Sequence, residues 1–179
     1  MKFVATPLAG AFVVELEELA DERGFFARSF CREEFERHGL VAAVAQCNVS
    51  YNARRGTLRG LHYQGEPHPE AKLVRCTRGA VWDVAVDLRP GSPTRYRWFA
   101  LELTADNRRA LYVPAGFAHG FQSLTDASEL LYQMSECYRA DLARGVRWDD
   151  PRLAIAWPVA PAIVSERDRA LPLVGDAAP

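Results

Sequence analysis

The stretch Gly-Thr-Leu-Arg-Gly-Leu-His-Tyr-Gln, residues 56–64, places a guanidinium and an imidazole inside apolar, strand-like sequence. In a half-buried strand, Arg59 and His62 are costly unless each is paired or contacts a polar ligand. Strict two-residue alternation would send the two side chains to opposite faces of the strand. If both serve one pocket, Gly60 must allow a bulge or a close backbone turn. The alternative is a surface arginine beside a hydrogen-bonded core histidine.

Outward from this stretch, the chain repeats the same strand pattern. From Val41 onward, short runs rich in Val, Leu, Tyr and Trp alternate with Gly, Pro, Asn or Asp, and no segment shows the helical period. The predicted strands are 3–6, 11–16, 45–50, 57–63, 71–78, 80–88, 97–103, 110–113, 116–123 and 128–138. We therefore expect an all-β fold, an antiparallel jelly-roll barrel.

Two parts of the chain interrupt the strand pattern. Ser29 is expected to cap a short peripheral helix that reaches residue 36 or 37 and that Gly39 ends. After Gly145 the sequence becomes irregular and polar. This tail is expected to wrap across the mouth of the barrel and to deliver side chains to it.

Size and charge narrow the possible functions. With 179 residues and 20.0 kDa, residues 1–179 are expected to form one domain. A net charge of −1 predicts no general attraction to nucleic acid or anionic membranes, so an anionic ligand would need local Arg and Lys. No apolar run approaches the roughly 18 residues of a membrane span, and the N-terminus lacks the pattern of a signal peptide. A cytoplasmic protein is expected.

The cysteines fit that compartment. They are widely spaced and form no C-x-x-C pair, which predicts neither a disulfide framework nor a zinc site. Free thiols are expected at all four positions: Cys31, Cys47, Cys76 and Cys137.

Lys72 is a candidate for contact with negative charge inside the barrel. Alternation places it on one strand face with Val74 and Cys76. An inward lysine needs an anionic ligand or a carboxylate partner, and Asp83 or Asp87 on the next strand could be that partner. The alternative is an exposed lysine at the end of a strand.

Three further candidates each have an ordinary explanation. His119, in the turn-like segment 114–121, could be a satisfied core histidine, and Tyr132 could be a core tyrosine with a bonded hydroxyl. Asp168 lies in the polar run 165–168, which is typical of solvated sequence. Together the candidates supply a base, an acid, a cation for an oxyanion and arginines for phosphate, as a proton-transfer pocket requires.

At this point the motifs, in their order and spacing, resemble the deoxythymidine-diphosphate (dTDP) 4-dehydrorhamnose 3,5-epimerase family of cupin-like sugar-nucleotide epimerases. The matching segments cover most of the chain from Asp21 to Asp168. They are Asp-Glu-Arg-Gly-Phe-Phe at 21–26, Gln46-Cys-Asn48-Val-Ser50, residues 56–64, Ala-Lys-Leu-Val-Arg at 71–75, Asp83-Val-Ala-Val-Asp87-Leu-Arg89, Gly91-Ser-Pro-Thr94, residues 114–121, Trp148-Asp-Asp-Pro151 and Trp157-Pro158.

This resemblance implies a cupin-like jelly-roll homodimer whose pocket takes a nucleotide-diphosphate 4-keto-6-deoxy sugar, such as dTDP-4-dehydro-6-deoxyglucose. It implies inversion of C3, C5 or both, with neither a cofactor nor a metal. It also implies that segment 21–28 reaches into the pocket of the neighbouring subunit.

The resemblance assigns roles residue by residue. His62 is the general base that removes the proton next to the C4 ketone, with Asp168 orienting its ring. Tyr132 is the acid that returns a proton from the opposite face of the sugar, and Lys72 stabilises the enolate oxygen. The expected substrate contacts are Arg59, His119, Gln46, Asn48, Arg23, Phe26 and Tyr138, the last by stacking on the base.

The sequence departs from the family pattern at two positions, both of which concern the nucleotide end of the pocket. The family often has glutamate at the positions of Arg28 and Ala143. The expected catalytic set is intact, so the departures bear on which nucleotide and sugar are bound.

Three other readings remain open at this stage. A 3,4-ketoisomerase of related pathways would use two histidines and would not need Tyr132. A metal-dependent cupin would use His62, His68 and His119, although the usual clustering of ligands is missing from the sequence. A sugar-nucleotide binding module would need no opposed acid and base.

Overall fold

Fourteen strands and two short helices make up the part of the chain that the computed structural model describes, residues 1–175. The last four residues of the expected domain, 176–179, lie outside it. The strands are β1 (Lys2–Ala5), β2 (Phe12–Glu15), β3 (Leu19–Asp21), β4 (Gly24–Phe26), β5 (Gln46–Asn52), β6 (Thr57–Gln64), β7 (Lys72–Arg78), β8 (Ala80–Asp87), β9 (Trp98–Thr104), β10 (Ala110–Val113), β11 (Phe117–Ser123), β12 (Ser128–Met134), β13 (Ala143–Gly145) and β14 (Ile163–Val164). The helices are α1 (Arg32–Arg37) and α2 (Glu166–Arg169), and a 3₁₀ turn covers Ala140–Leu142.

Two sheets form the barrel, and a small hairpin stands apart from them. The first sheet has the order β1-β2-β10-β7-β12-β5. The second has the order β13-β6-β11-β8-β9, and β14 pairs in parallel with β6. Strands β3 and β4 form a separate two-stranded hairpin. The expected jelly-roll barrel is confirmed, and β14 brings the C-terminal tail against the second sheet.

The main core lies between the two sheets. Its buried cluster joins Val74 and Leu130 from the first sheet to Val81 and Phe117 from the second. Leu73 instead belongs to a cluster on the outer side of the first sheet, together with Phe35 of α1. The predicted alternation in β7 is therefore confirmed, because the even-numbered residues from 72 to 76 point inward.

The irregular tail covers the outer side of the second sheet. Leu153 and Val174 pack there against Leu61 and Val84. The buried carboxylate of Asp150 accepts the backbone N–H of Val174 at 2.6 Å and so holds the two ends of the tail together. Within residues 1–175, no helix combines the length and apolar composition of a membrane span.

Strands β3, β4, β13 and β14 were not predicted from the sequence, and two predicted element ends lie elsewhere in the structure. The last long strand ends at Met134 and not at residue 138, because the N–H of Cys137 bonds the Glu136 side chain and that of Tyr138 bonds a neighbouring amide side chain. Local side-chain bonds therefore replace the sheet ladder. The helix α1 begins after Cys31, with no side-chain cap, so the prediction of Ser29 as its cap is wrong.

Asp87 is the centre of a buried polar cluster at the end of β8. Its carboxylate accepts Nε of Arg89 at 2.9 Å, Oγ1 of Thr94 at 2.6 Å and Oγ of Ser92. Burial alone would raise the pKa of this carboxyl, but the bonds from Arg89, Ser92 and Thr94 lower it from 3.8 to about 2. Asp87 is therefore a structural residue, and the proposal that it pairs with Lys72 is wrong.

We expect Asp87→Asn to lower the free energy of unfolding by about 2 kcal/mol at neutral pH. Because folding lowers the pKa of Asp87, its stabilisation is complete above about pH 4 and disappears as the pH falls toward about 2. Urea unfolding at pH 7 and pH 3 measures the difference between variant and wild type, which should shrink at pH 3.

The matched control is Asp141→Asn. Asp141 is exposed and lies 3.9 Å from its nearest cation on Arg139, so this change should shift the free energy of unfolding by less than about 0.5 kcal/mol. An equal loss at both pH values for Asp87→Asn would contradict the electrostatic explanation.

Candidate active site

A bulge in β6 turns Arg59 and His62 to the same side of the sheet. His62 lies opposite His119 of β11, and Arg59 lies opposite Phe121. Two residues separate the pair on β6 but only one separates the pair on β11, so β6 carries an extra residue. Because His119 and Phe121 share a face of β11, Arg59 and His62 share the same face of β6. The predicted irregularity at Gly60 is confirmed.

Two glycines make this bulge possible. Gly60 has a φ of +131°, and a Cβ atom there would lie 2.7 Å from Cα of Gly120. A Cβ atom on Gly120 would lie 2.6 Å from the carbonyl oxygen of Arg59 and 2.8 Å from a methyl group of Leu61. Neither strand can carry a larger residue without moving the other.

The bulge faces a cavity of about 480 Å³ between the two sheets. Each sheet and the tail contribute polar side chains to its wall. The second sheet supplies Arg59, His62 and His119, the first sheet supplies Asn48, Lys72 and Tyr132, and the tail supplies Ser165, Arg167 and Asp168. The tail therefore delivers side chains to the barrel as expected.

His62 and Asp168 form a hydrogen-bonded pair at the cavity wall. Nε2 of His62 donates to Oδ1 of Asp168 at 2.8 Å, and the backbone N–H of Gly60 donates to Oδ2 at 3.2 Å. Ser165 caps α2 by accepting the N–H of Asp168 at 3.1 Å. With Nε2 engaged, Nδ1 is the ring nitrogen that can accept a proton.

The environment keeps Asp168 ionised. Burial alone would raise the pKa of this carboxyl, but the hydrogen bond and charge of His62 and the N–H of Gly60 hold it below its usual value. An ionised carboxylate fixes the imidazole tautomer and stabilises the imidazolium that forms when His62 takes up a proton. Asp168 lay in a run that is typical of solvated sequence, but the structure buries it.

Lys72 is buried and paired, although not with the residues proposed from the sequence. Its Nζ lies 2.9 Å from Oε1 of Glu70 and donates to the carbonyl oxygen of His62 at 3.2 Å. The proposal of Asp83 or Asp87 as its partner is wrong, because both are bonded elsewhere. Glu70 was missed, although its position two residues before Lys72 places it on the same side of an extended chain.

Tyr132 projects from β12 into the same cavity. Its ring packs edge-on against His119, with centroids 5.8 Å apart and planes at 82°. His119 in turn donates Nε2 to Oδ1 of Asp83 at 2.9 Å. Burial raises the pKa of Tyr132 well above its usual value, Asp83 adds to the effect and Arg59 partly opposes it. Tyr132 therefore stays protonated and can donate a proton.

Four of the expected contact residues do not line this cavity. Gln46 accepts the N–H of Tyr138 at 2.8 Å and donates to Asn48 at 3.3 Å, so it bridges two residues at the rim. Tyr138 lines a smaller cavity of about 130 Å³ that His62 and Arg167 also border. Within one chain, Arg23 pairs with Asp21 and Phe26 is 75% exposed.

Arg28 and Ala143, the two positions that depart from the family pattern, and His68 also lie at defined places. Arg28 pairs with Glu34 at 3.0 Å, and Ala143 lines the smaller cavity. His68 lies 3.5 Å from Glu136 and is not part of the main cavity wall. Across residues 1–175, no three His, Cys, Asp or Glu side chains are grouped as a metal site would need.

Arg167 is a further cavity residue that sequence reasoning missed. It stands directly before Asp168 in the polar run 165–168, and its charge was attributed to solvent-exposed sequence. Its place depends on the parallel pairing of β14 with β6, which no short-range pattern indicates.

We expect Gly120→Ala to lower the free energy of unfolding by about 1–3 kcal/mol, because its Cβ would overlap the β6 backbone. The control is Gly65→Ala, whose Cβ would meet its nearest atoms at 3.7 Å and should change stability by less than about 0.5 kcal/mol. Thermal and urea unfolding provide the measurement. Equal stability of both variants would contradict the described contact between β6 and β11.

Comparison with known proteins gives consistent matches over nearly the full chain. The family model described as dTDP-4-dehydrorhamnose 3,5-epimerase matches residues 5–176. A protein of that name from Methanothermobacter thermautotrophicus is 44% identical over 94% of this chain and 91% of its own. The crystal structure of such an epimerase from Elizabethkingia anophelis has a TM-score of 0.95 and 40% identity, covering 98% and 97% of the two chains. One from Bacillus anthracis, with TDP and PPi bound, has a TM-score of 0.92 and 44% identity, covering 97% and 99%.

Proposed function

Because the chain belongs to the dTDP-4-dehydrorhamnose 3,5-epimerase family, we propose that His62 and Tyr132 are the base and acid of its reaction. The enzyme is an epimerase that inverts C3, C5 or both on a nucleotide-linked 4-keto-6-deoxyhexose. The observation that supports the assignment is that His62 and Tyr132 reach one cavity from opposite sheets.

The proposed reaction begins with proton removal. Nδ1 of His62 takes the proton from the carbon next to the C4 ketone, and the electron pair of that C–H bond moves to O4 as an enolate. Asp168 stabilises the resulting imidazolium. Lys72 stabilises the enolate oxygen, a contribution that can reach about 3 kcal/mol for one donor.

Inversion requires a proton from the other face of the sugar. Tyr132 is on the wall opposite His62 and holds its proton tightly. It donates this proton to the carbanionic carbon as the enolate collapses to the ketone. His62 then releases its proton to solvent and Tyr132 takes one up, so no net proton is consumed.

The cations and the rim residues fit a nucleotide diphosphate. Arg59 and Arg167 border the main cavity and are suited to phosphate oxygens. The Bacillus anthracis relative was solved with TDP and PPi bound, which supports a nucleotide diphosphate as part of the substrate. Asn48 and His119 contact the sugar or phosphate, and Tyr138 stacks on the base beside the smaller cavity.

The exposed hairpin β3–β4 supports a dimer. Leu19 and Phe26 are 71% and 75% exposed on this hairpin. Apolar side chains so exposed are typical of an interaction surface. We propose a homodimer in which segment 21–28 brings Arg23 and Phe26 to the neighbouring subunit's cavity.

We further propose that residues 1–179 act as one domain and that the enzyme works in the cytoplasm, where its four free cysteines stay reduced.

Solvent exchange tests the two roles separately. In deuterated water with dTDP-4-dehydro-6-deoxyglucose, wild-type enzyme should place deuterium at C3, C5 or both, as proton NMR reports. His62→Ala should abolish this exchange because no base removes the proton. Tyr132→Phe should retain exchange but lower the yield of inverted sugar at least about 100-fold.

The matched control for the base is His68→Ala, which removes a histidine outside the main cavity and should keep full exchange and inversion. Exchange at the normal rate in His62→Ala would remove His62 from the role of base. Undiminished inversion in Tyr132→Phe would remove Tyr132 from the role of acid.

Light scattering tests the dimer. The wild-type enzyme should have a molar mass of twice the chain mass of 20.0 kDa. Phe26→Asp should shift the measured mass toward that of the monomer and reduce kcat/KM. Val4→Asp alters another exposed residue, 47% exposed on β1, and should leave both unchanged. A fully active wild-type monomer would rule out a shared site.

A further inference from the structure

Glu70 is a buried carboxylate to which the proposed mechanism gives no role. It is 8% exposed and lies just before β7. Ala71 donates its N–H to the Ser135 side chain at 2.8 Å and accepts the N–H of Ser135 at 3.0 Å, so the chain is held extended here. Ala71 packs into the outer cluster, and Glu70 therefore faces the same way as Lys72.

The ammonium of Lys72 has three N–H donors and two recorded partners among the described residues. One partner is Oε1 of Glu70 at 2.9 Å, and the other is the carbonyl oxygen of His62 at 3.2 Å. The remaining N–H is available to the main cavity, which Lys72 borders. Two fixed acceptors thus determine where the third donor points.

Glu70 contacts Lys72 from outside the wall of the main cavity. It borders the smaller cavity and is absent from the wall of the main one, whereas the reverse holds for Lys72. The carboxylate therefore does not occupy the space where a ketone oxygen would bind. It can hold the ammonium without blocking the ketone end of the substrate.

The pairing also determines whether a charged ammonium can be buried at this position. A buried ammonium without a partner is strongly disfavoured relative to the neutral amine or to a rearranged side chain. Removing one partner of a buried ion pair is destabilising because the other charge is left uncompensated. Without Glu70, the ammonium would lose one of its two acceptors and would be less well oriented toward O4.

We propose that Glu70 is a positioning residue of the epimerase, which holds the ammonium of Lys72 in place so that it stabilises the enolate at O4. Glu70 touches no reacting atom and acts through Lys72. The inference rests on the proposed role of Lys72. It predicts that Glu70 matters to the chemical step and not to substrate affinity.

A double-mutant cycle tests this coupling. Glu70→Gln keeps the size of the side chain and removes its charge, so it should fold as the wild type does and lower kcat about tenfold, with KM within twofold. Lys72→Met should lower kcat about 100-fold. In the Lys72→Met background, Glu70→Gln should change kcat by less than twofold, because the group through which it acts is gone.

Glu136→Gln is the matched control. Glu136 pairs with His68 outside the main cavity, so this change should leave kcat and KM within twofold of wild type. Circular dichroism and the melting temperature show that each variant is folded.

The outcomes separate the inference from the proposed function on which it rests. An unchanged kcat in Glu70→Gln, with Lys72→Met impaired, would overturn the role of Glu70 alone. An equal loss from Glu70→Gln in both backgrounds would show a structural effect and would also overturn it. Full kcat in Lys72→Met would overturn the roles of both residues.

Discussion

The close approach of β6 and β11 at Gly60 and Gly120 is the constraint on which the cavity depends. Arg59 and His62 occupy one face only because β6 has one more residue than β11 between their partners. That extra residue needs two backbones nearly in contact, and any Cβ atom would separate them. The apolar Leu61 then points outward into the tail-covered cluster, which removes it from the cavity. One backbone irregularity thus separates polar from apolar side chains.

The two-sheet architecture suits a reaction that adds a proton on the face opposite to its removal. A single sheet presents its inward side chains from one wall, whereas a barrel surrounds a ligand. His62 comes from the second sheet and Tyr132 from the first. Burial keeps the phenol protonated, whereas the imidazole is hydrogen-bonded to a carboxylate whose pKa is lowered. The proposed acid and base therefore differ in environment as well as in position.

Three ion pairs or charge-assisted hydrogen bonds stabilise the charged side chains around the cavity. His62 is joined to Asp168, His119 to Asp83, and Lys72 to Glu70. In each, a cationic or potentially cationic group that borders the cavity is backed by a carboxylate. The carboxylates come from α2, from β8 and from the segment before β7, so distant parts of the chain must fold together before the cavity can hold its charges. Stability and the proposed chemistry thus depend on the same contacts.

The sequence by itself indicated the positions of most long strands, the antiparallel jelly-roll class, the inward face of β7, the need for an irregularity at Gly60 and, through its resemblance to a family, the proposed catalytic set. These features follow from short-range periodicity and from motifs at fixed spacing. Only the tertiary structure decided that Asp83 pairs with His119 and not with Lys72, that Asp168 is buried, and that Arg167 reaches the cavity. Pairing of side chains on different strands depends on register and on a parallel contact between β14 and β6. Neither leaves a periodic signal in the chain, because both join residues that are far apart in sequence.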